Sequence, residues 1–110
     1  MKPLIWLGSS HDDIRRFPEE ARQDAGFELY QIQRGREPSD WKPMLTVGTG
    51  VKEVRVHGRD EYRVMYIAKF AEAVYVLHAF VKKTQQTSKA DIELASTRYK
   101  QLIATRQRQP

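Results

Sequence analysis

The sequence contains no cysteine, which excludes a disulfide framework and a zinc site built on thiolates. Its longest apolar stretch, Ala73 to Val81, includes a histidine and is far shorter than the roughly 20 residues of a membrane-spanning helix. Internal repeats and low-complexity tracts are also lacking. The first residues do not form an apolar segment of the secretory type, and we therefore expect a cytoplasmic protein.

The composition is that of a small folded protein with a basic C-terminal third. The chain has 110 residues, 40% of them hydrophobic, which predicts one domain with one core. Its formal net charge of +5 is uneven: residues 1–33 carry −2, residues 34–81 carry +2 and residues 82–110 carry +5. Such asymmetry favours a basic face that meets a polyanion, although many basic small domains bind no nucleic acid.

A helical hairpin is predicted over residues 10–16 and 18–33. Ser10 and Asp13 have the spacing of a capping box, and Pro18 suits the first turn of a helix because it lacks only an amide that would be unpaired there. Apolar residues then recur at intervals of three and four, as on the buried stripe of an amphipathic helix. This stripe comprises Ile14, Phe17, Ala21, Ala25, Leu29 and Ile32.

Strands are predicted before and after this hairpin. Pro3 to Gly8 is a short apolar segment ended by glycine, and the glycines and prolines of Arg34 to Gly50 indicate a loop. Residues 51–57, 61–69 and 73–82 are rich in β-branched and aromatic residues and are separated by gaps of hairpin length. These three segments predict an antiparallel meander.

A final helix is predicted from Ser88 almost to the end of the chain. Ser88 and Asp91 form a second capping-box spacing, and apolar residues follow with helical periodicity. The predicted fold class is α+β: an N-terminal strand, a helical hairpin, a three-stranded antiparallel meander and a C-terminal helix.

Three segments of this order resemble the RelE/ParE superfamily of toxins from bacterial toxin–antitoxin pairs, and its HigB-like branch in particular. They are EVR at Glu53 to Arg55, YRVMY at Tyr62 to Tyr66, and LHAFVKKTQQT at Leu77 to Thr87. The family pattern has a Glu-x-Arg element, a Tyr-Arg-x-x-Tyr strand and a Phe-x-Lys-Lys run before a polar turn. The resemblance extends over roughly residues 3–103.

This resemblance implies a single RelE/ParE-like toxin domain, over residues 1–110, that a cognate antitoxin keeps inactive. Many RelE and HigB relatives cleave messenger RNA in the ribosomal decoding site without a metal or other cofactor, whereas ParE relatives inhibit DNA gyrase. Fold alone does not choose between these activities. The implied partners are the ribosome with its message and a HigA-like helix-turn-helix antitoxin in a hetero-oligomer.

Cleavage of RNA requires a base for the 2′-hydroxyl, cations for the phosphoryl oxygens and an acid for the leaving oxygen. From the family pattern, Lys83 is the first candidate for the cation of the transition state, and Lys82 for positioning the RNA backbone. Neighbouring positive charge and desolvation would also let a lysine act as a base. Alternatively, both are charged residues that protect the end of an apolar strand.

Arg63 lies in the middle of an apolar strand, where an unpaired guanidinium would be costly to bury. The family pattern makes it a contact to phosphate; the structural alternative is an ion pair with Glu53, Asp60 or Glu61. A three-residue hairpin loop, Gly58 to Asp60, would place Arg63 on the face of Glu53, Arg55 and His57, whereas pairing of His57 with Tyr62 would place it on the other face.

Other candidates come from the same strands. Glu53, Arg55 and His57 alternate with valines and share one face, so Glu53 with Arg55 or His57 could supply acid–base chemistry, or the alternation is that of any half-buried strand. Arg55, Glu53, Tyr66 and Lys89 are predicted to bind RNA, with Tyr66 stacking on a base unless it belongs to the core. His78, inside an apolar strand, is predicted to be a hydrogen-bonded core residue.

The competing hypotheses are a ParE-type gyrase inhibitor that cleaves nothing and a catalytically silent module. In the second, the basic last helix docks on an acidic partner. The residues that would carry this docking are Arg98, Lys100, Arg106 and Arg108.

Overall fold

The structure is a computed structural model that describes residues 1–109, and the predicted α+β class and order of elements are confirmed. The chain runs through β1 (Leu4–Trp6), α1 (Ser10–Arg15), α2 (Glu19–Gln33), β2 (Trp41–Pro43), β3 (Val51–His57), β4 (Glu61–Ile67), β5 (Val74–Lys82) and α3 (Lys89–Arg108). None of the helices in this described part of the chain has the length and apolar character needed to cross a membrane.

The strands form one mixed sheet in the order β1-β5-β4-β3-β2. The predicted antiparallel meander β3-β4-β5 is its centre, and β1 pairs in parallel with β5. Strand β2 lies within the segment that the sequence predicted to be a loop, and it pairs antiparallel with β3 at the sheet edge. Pro43 is tolerated there because an edge strand needs no amide donor on its open side.

The β3-β4 hairpin has the three-residue loop that the sequence left open. His57 pairs with Glu61 and Arg55 pairs with Arg63, with Gly58 to Asp60 between the strands. Residues directly opposite one another in a sheet project to the same face. Arg63 therefore shares a face with Arg55 and His57.

Helices cover both faces of the sheet. Helices α1 and α2 pack on one face through the predicted apolar stripe, every member of which is at most 5% exposed. Helix α3 packs on the other face through Ala95 and Leu102, and Met44 and Val47 of the long connection join this second core. The apolar partners of α3, such as Ile67 and Leu77, lie at one end of that face, and the polar residues beside the β3-β4 loop lie at the other.

Local contacts fix the ends of the helices. Ser88 caps α3 as predicted: its side chain accepts a hydrogen bond from the Asp91 amide at 3.1 Å. The predicted cap of α1 is off by one residue, because Ser9 is the N-cap and donates its hydroxyl to Asp13 at 2.7 Å. Ser10 is instead fully buried, with its hydroxyl bonded to the carbonyl of Val76.

Candidate active site

Mostly polar side chains form three rows across the sheet face on which α3 packs, at the end beside the β3-β4 loop. Pairing of β3, β4 and β5 places Lys82, Glu61 and His57 in the row nearest the hairpin loop. Phe80, Arg63 and Arg55 form the second row. The third row comprises His78, Met65, Glu53 and Lys42. We refer to Lys42, Arg55, Arg63 and Lys82, which surround Glu53, as the cationic cluster.

Arg63 and Glu53 form the buried base of the cationic cluster. Glu53 is fully buried, and its Oε1 lies 3.6 Å from Arg63 Nε and 3.8 Å from Lys42 Nζ. Its other oxygen accepts a hydrogen bond from the Thr87 hydroxyl at 3.2 Å, which ties the β5-α3 connection to the sheet. Glu53 is therefore a structural counterion, and the prediction that it binds RNA is wrong because its carboxylate is out of reach.

Arg63 is also held by carboxylates. Its guanidinium donates to the Tyr62 carbonyl at 2.9 Å and to Glu61 at 3.4 Å, and its side chain is only 5% exposed. The structural alternative, an ion pair with Glu53 and Glu61, thus describes the position of Arg63. From here its guanidinium adds positive charge beneath this face of the sheet and holds Glu53 and Glu61 in place.

His57 lies between two carboxylates. Its Nδ1 is 2.8 Å from Glu61 and its Nε2 is 2.7 Å from Asp40. The hydrogen bond to Asp40, supported by the one to Glu61, raises the pKa of His57. The same imidazole lowers the pKa of Asp40 and of Glu61. Both ring nitrogens of His57 are thus engaged by carboxylates, an arrangement that favours its protonated form and suits the role of an acid better than that of a base.

Arg55 completes the rim of the cationic cluster. Its guanidinium lies 3.6 Å from Asp40, and a third of its side chain is exposed. Its amide donates to the Asp40 carbonyl, so the residue just before β2 is fixed to β3. Arg55 therefore presents charge to solvent beside the buried Arg63.

Lys82 is the cation of the cluster that carries no counterion of its own. Among residues 1–109, no ion pair or hydrogen bond joins its ammonium to another side chain, and only the weaker attraction of Glu53 opposes loss of its proton. Desolvation, and then the charges of Arg63, Lys42 and Arg55, lower the pKa of Lys82. These are the two conditions under which a lysine becomes available as an uncharged amine.

Lys83 and Lys89 lie outside the three rows. Lys83 follows the last paired residue of β5 and is exposed, and it forms no ion pair or hydrogen bond within the described residues. Lys89, in the first turn of α3, is exposed and lies 3.8 Å from Glu93. The register therefore brings Lys82, and not the first candidate Lys83, into the row of His57.

Tyr66 and His78 are both core residues. Tyr66 is 1% exposed on the face covered by α2, opposite to the cationic cluster, so the prediction that its ring stacks on a base is wrong. His78 is buried as predicted, with Nε2 2.7 Å from Asp91 and its ring stacked on Phe80. Each of these rings is held by its own core and is unavailable to a nucleobase.

Two of the basic residues on α3 hold the helix to the body. Arg98 donates to the Leu77 carbonyl at 2.8 Å and to the Ser9 hydroxyl at 3.0 Å. Arg106 forms two hydrogen bonds to Glu72 and lies over the ring of Phe70. These contacts weaken the hypothesis of a silent basic helix, since of the four residues predicted to carry the docking only Lys100 and Arg108 are left for a partner.

Three residues of the site were missed at the sequence level. Asp40 and Lys42 lie in the segment predicted to be a loop, and they reach the site because β2 pairs with β3. Glu61 was considered only as a counterion of Arg63, although its opposition to both His57 and Lys82 follows from the three-residue loop. Within residues 1–109, no three His, Asp or Glu side chains are grouped as ligands of a metal ion would be.

Chemically, the face combines two titratable groups in unlike surroundings. Lys82 and His57 flank Glu61 in one row, and their environments move their pKa values in opposite directions. Such a pair is the usual arrangement for a base and an acid that act together. The surrounding cations suit an anionic substrate.

A comparison with protein families gives one finding that bears on this site. The family model described as "Phage derived protein Gp49-like (DUF891)" matches residues 12–100, which include all three rows. A comparison with curated proteins gives no match.

Proposed function

Because the chain belongs to the phage-derived Gp49-like family, we propose that it is the toxin of a toxin–antitoxin pair and that it cleaves messenger RNA on the ribosome. The family is a toxin-like family of the RelE/HigB-type toxin–antitoxin systems. Membership in the HigB branch and action on ribosome-bound message are supported by the resemblance of the three segments described above.

The observation that carries this proposal is the position of Lys82. It is a partly buried cation without its own counterion, among three further cations, at the open end of the sheet. Such a site attracts an anion, and a phosphodiester would satisfy the unpaired charge. A protein partner such as gyrase would not by itself require a lysine of lowered pKa in one row with a histidine of raised pKa.

The two ends of the first row supply the proton transfers of RNA cleavage. The uncharged amine of Lys82 takes the proton of the 2′-hydroxyl, and that oxygen forms a bond to the adjacent phosphorus. The bond from phosphorus to the 5′-oxygen breaks, and the imidazolium of His57 gives its proton to that oxygen. The products are a 2′,3′-cyclic phosphate and a 5′-hydroxyl, and no water, metal or oxidant is consumed.

Other cations stabilise the charge of the pentacovalent state or hold the strand. Arg55 is exposed enough to bind a phosphate oxygen directly, and arginine presents two donors in one plane. Arg63 is a positioning residue that fixes Glu53 and Glu61 and adds positive charge beneath the phosphate. Lys83 and Lys89, at the outer margin, hold flanking phosphates.

The partners follow from the same assignment. A toxin-like family implies an antitoxin partner. We propose a HigA-like helix-turn-helix antitoxin that forms a hetero-oligomer with this chain in the cytoplasm. A basic surface associates rapidly with an acidic segment of such a partner, and this association weakens with salt.

Induced expression tests the proposal. We expect growth to stop with rapid loss of protein synthesis, and primer extension to show new 5′ ends within translated messages. Lys82→Ala should abolish both effects, whereas Lys100→Ala, at an exposed lysine on α3, should leave them unchanged. Filamentation with DNA damage and intact messages would contradict the proposal in favour of gyrase inhibition. The absence of any toxicity in a folded protein would contradict it in favour of a silent module.

A further inference from the structure

A second basic cavity lies on the opposite face of the sheet from the cationic cluster. It has a volume of about 310 Å³ and lies between the end of α2, the start of β3 and the end of β4. Its charged lining contains four cations and one carboxylate: Lys2, Arg36, Lys52, Lys69 and Glu37.

Tyr66 lines this cavity and has an unused hydrogen-bond donor. The residue is 1% exposed, yet its hydroxyl forms no hydrogen bond to any of residues 1–109. Burial, and then the charges of Glu37 and Glu28, raise the pKa of Tyr66 well above its usual value, so the hydroxyl keeps its proton. Buried polar groups of this kind normally have a partner. A ligand that accepts a hydrogen bond would provide one.

The four cations of the cavity lining outnumber its one carboxylate and favour an anionic ligand. Lys69 and Arg36 are exposed at the entrance, and Lys2 donates to the Ala68 carbonyl at 2.5 Å. Lys52 is directly opposite Tyr66 on the neighbouring strand, with its ammonium 3.0 Å from Glu37 and over the ring of Trp41. The polar side chains of the cavity other than Glu37 are hydrogen-bond donors.

Glu37 occupies the position that an anionic ligand would take on Lys52. More than half of its side chain is exposed, so it can leave Lys52 without breaking a buried contact. An exposed ion pair of this kind contributes little to stability. An incoming anion would therefore exchange one weak partner of Lys52 for several donors at once.

We propose that this cavity binds a phosphate group, held by the Tyr66 hydroxyl and the ammonium and guanidinium groups around it. Phosphate has the negative charge that the four cations favour and enough acceptor oxygens to serve them together with the hydroxyl. Carboxylates share the charge but offer fewer oxygens.

The phosphate belongs either to an RNA strand or to a free phosphate compound. Lys52 and Glu53 are adjacent in β3 and project to opposite faces, so the cavity and the cationic cluster lie on either side of the same stretch of sheet, next to edge strand β2. An RNA strand that passes around this edge would contact both sites. This extension to RNA rests on the proposed function, whereas the binding of phosphate does not.

Titration of the full chain with inorganic phosphate at constant ionic strength tests the site, with amide NMR shifts as the readout. Shifts at residues of the cavity should give a dissociation constant that Tyr66→Phe raises roughly tenfold, the effect of one lost hydrogen bond to a charged group. Glu37→Gln should tighten binding, because it removes the competing carboxylate. Lys100→Gln should have no effect.

Two results would overturn the phosphate site. One is the absence of phosphate-dependent shifts at the cavity in a wild-type protein with well-dispersed resonances. The other is equal affinity in Tyr66→Phe and wild type, since phenylalanine preserves the buried ring and removes only the donor.

A 2′-O-methyl oligoribonucleotide distinguishes the two sources of phosphate, because it lacks the attacking hydroxyl and binds without being cleaved. If RNA occupies the cavity, Lys69→Gln should reduce the slope of log affinity against log salt by about 0.7, the value for one phosphate contact in a single strand. An unchanged slope, with inorganic phosphate still bound, would overturn the RNA extension and assign the cavity to free phosphate compounds. Neither measurement depends on cleavage by Lys82.

Discussion

Arg63 and Glu53 form a buried ion pair between neighbouring strands, with Arg63 Nε 3.6 Å from Glu53 Oε1 and neither side chain more than 5% exposed. Those two atoms have no hydrogen-bond partner within residues 1–109. Removing two charges from water is costly, and their attraction repays this cost only while both are present. Arg63 thus keeps its positive charge beneath the proposed scissile phosphodiester at some expense to stability.

We expect Glu53→Gln to lower the free energy of unfolding by about 3 kcal/mol, because it removes the buried counterion of the Arg63 guanidinium and leaves it the part-exposed Glu61. Urea denaturation measures this change. Glu37→Gln is the matched control, since its ion pair with Lys52 is exposed and should be worth less than about 1 kcal/mol. Equal losses in the two variants would contradict the assignment of Glu53 as a structural counterion.

The titration of His57 should show the effect of its two carboxylates. Asp40, and then Glu61, raise the pKa of His57 above 6.5, and NMR of the ring protons should find its midpoint above that value. Asp40→Asn should move the midpoint down, because the stronger of the two hydrogen bonds to the imidazolium is lost. A midpoint that does not respond to Asp40→Asn would contradict the role given to this residue.

The same contacts predict how stability depends on pH. The contribution of His57 is fully present below pH 6.5 and is lost as the pH rises through its raised folded-state pKa. The contributions of Asp40 and Glu61 are present above about pH 4.5 and are lost as the pH falls through their lowered pKa values. The stability difference between wild type and His57→Gln should therefore be largest between about pH 4.5 and 6.5. A difference that grows above pH 7 would contradict this account.

Gly8→Ala should destabilise the fold by about 2 kcal/mol or more. Gly8 has a φ of +54°, and a Cβ at this position would overlap the Arg98 guanidinium that holds α3 to the sheet. Gly26→Ala is the matched control: it lies inside α2 with no atom beyond its own stretch of helix backbone within 4 Å of the new methyl, and should be neutral or stabilising by up to about 1 kcal/mol. Thermal unfolding measures both variants.

A double variant separates the two causes of the Gly8 effect. If displacement of Arg98 contributes, the losses in Gly8→Ala and Arg98→Ala should not add, because each removes the same contacts. If the two stability losses add fully, the loss in Gly8→Ala comes only from the strained backbone at residue 8.

Most of the fold could be predicted because its elements have strong local patterns. The apolar stripe from Ile14 to Ile32 and the dense β-branched segments 51–57 and 73–82 each predict one type of element. Strand β2 could not be predicted, since three residues that include Pro43 carry no alternation and pair only because β3 is already present. The parallel pairing of β1 with β5 is likewise a long-range contact that no local sequence pattern predicts.

The site was harder to predict because alternation along a strand gives two faces without saying which is buried. The three-residue hairpin loop places Arg63 on the same face as Arg55. The pairing of Glu61 with Lys82 then places Lys82, and not Lys83, in the row of His57. The complete burial of Glu53 depends on Thr87, from a connection with no regular pattern. The types of residue at the site were therefore readable from the sequence, and their exposure was not.

The most direct test of the central claim is the rate and chemistry of cleavage of ribosome-bound message by the purified protein. The wild type should leave a 2′,3′-cyclic phosphate and a 5′-hydroxyl. Lys82→Ala should slow cleavage by about 10²- to 10⁴-fold, the usual contribution of a general base, while Lys83→Ala slows it by less than about tenfold. Cleavage by Lys82→Ala at the wild-type rate, or products with a 5′-phosphate, would contradict the assignment of Lys82 as the base at the scissile phosphodiester.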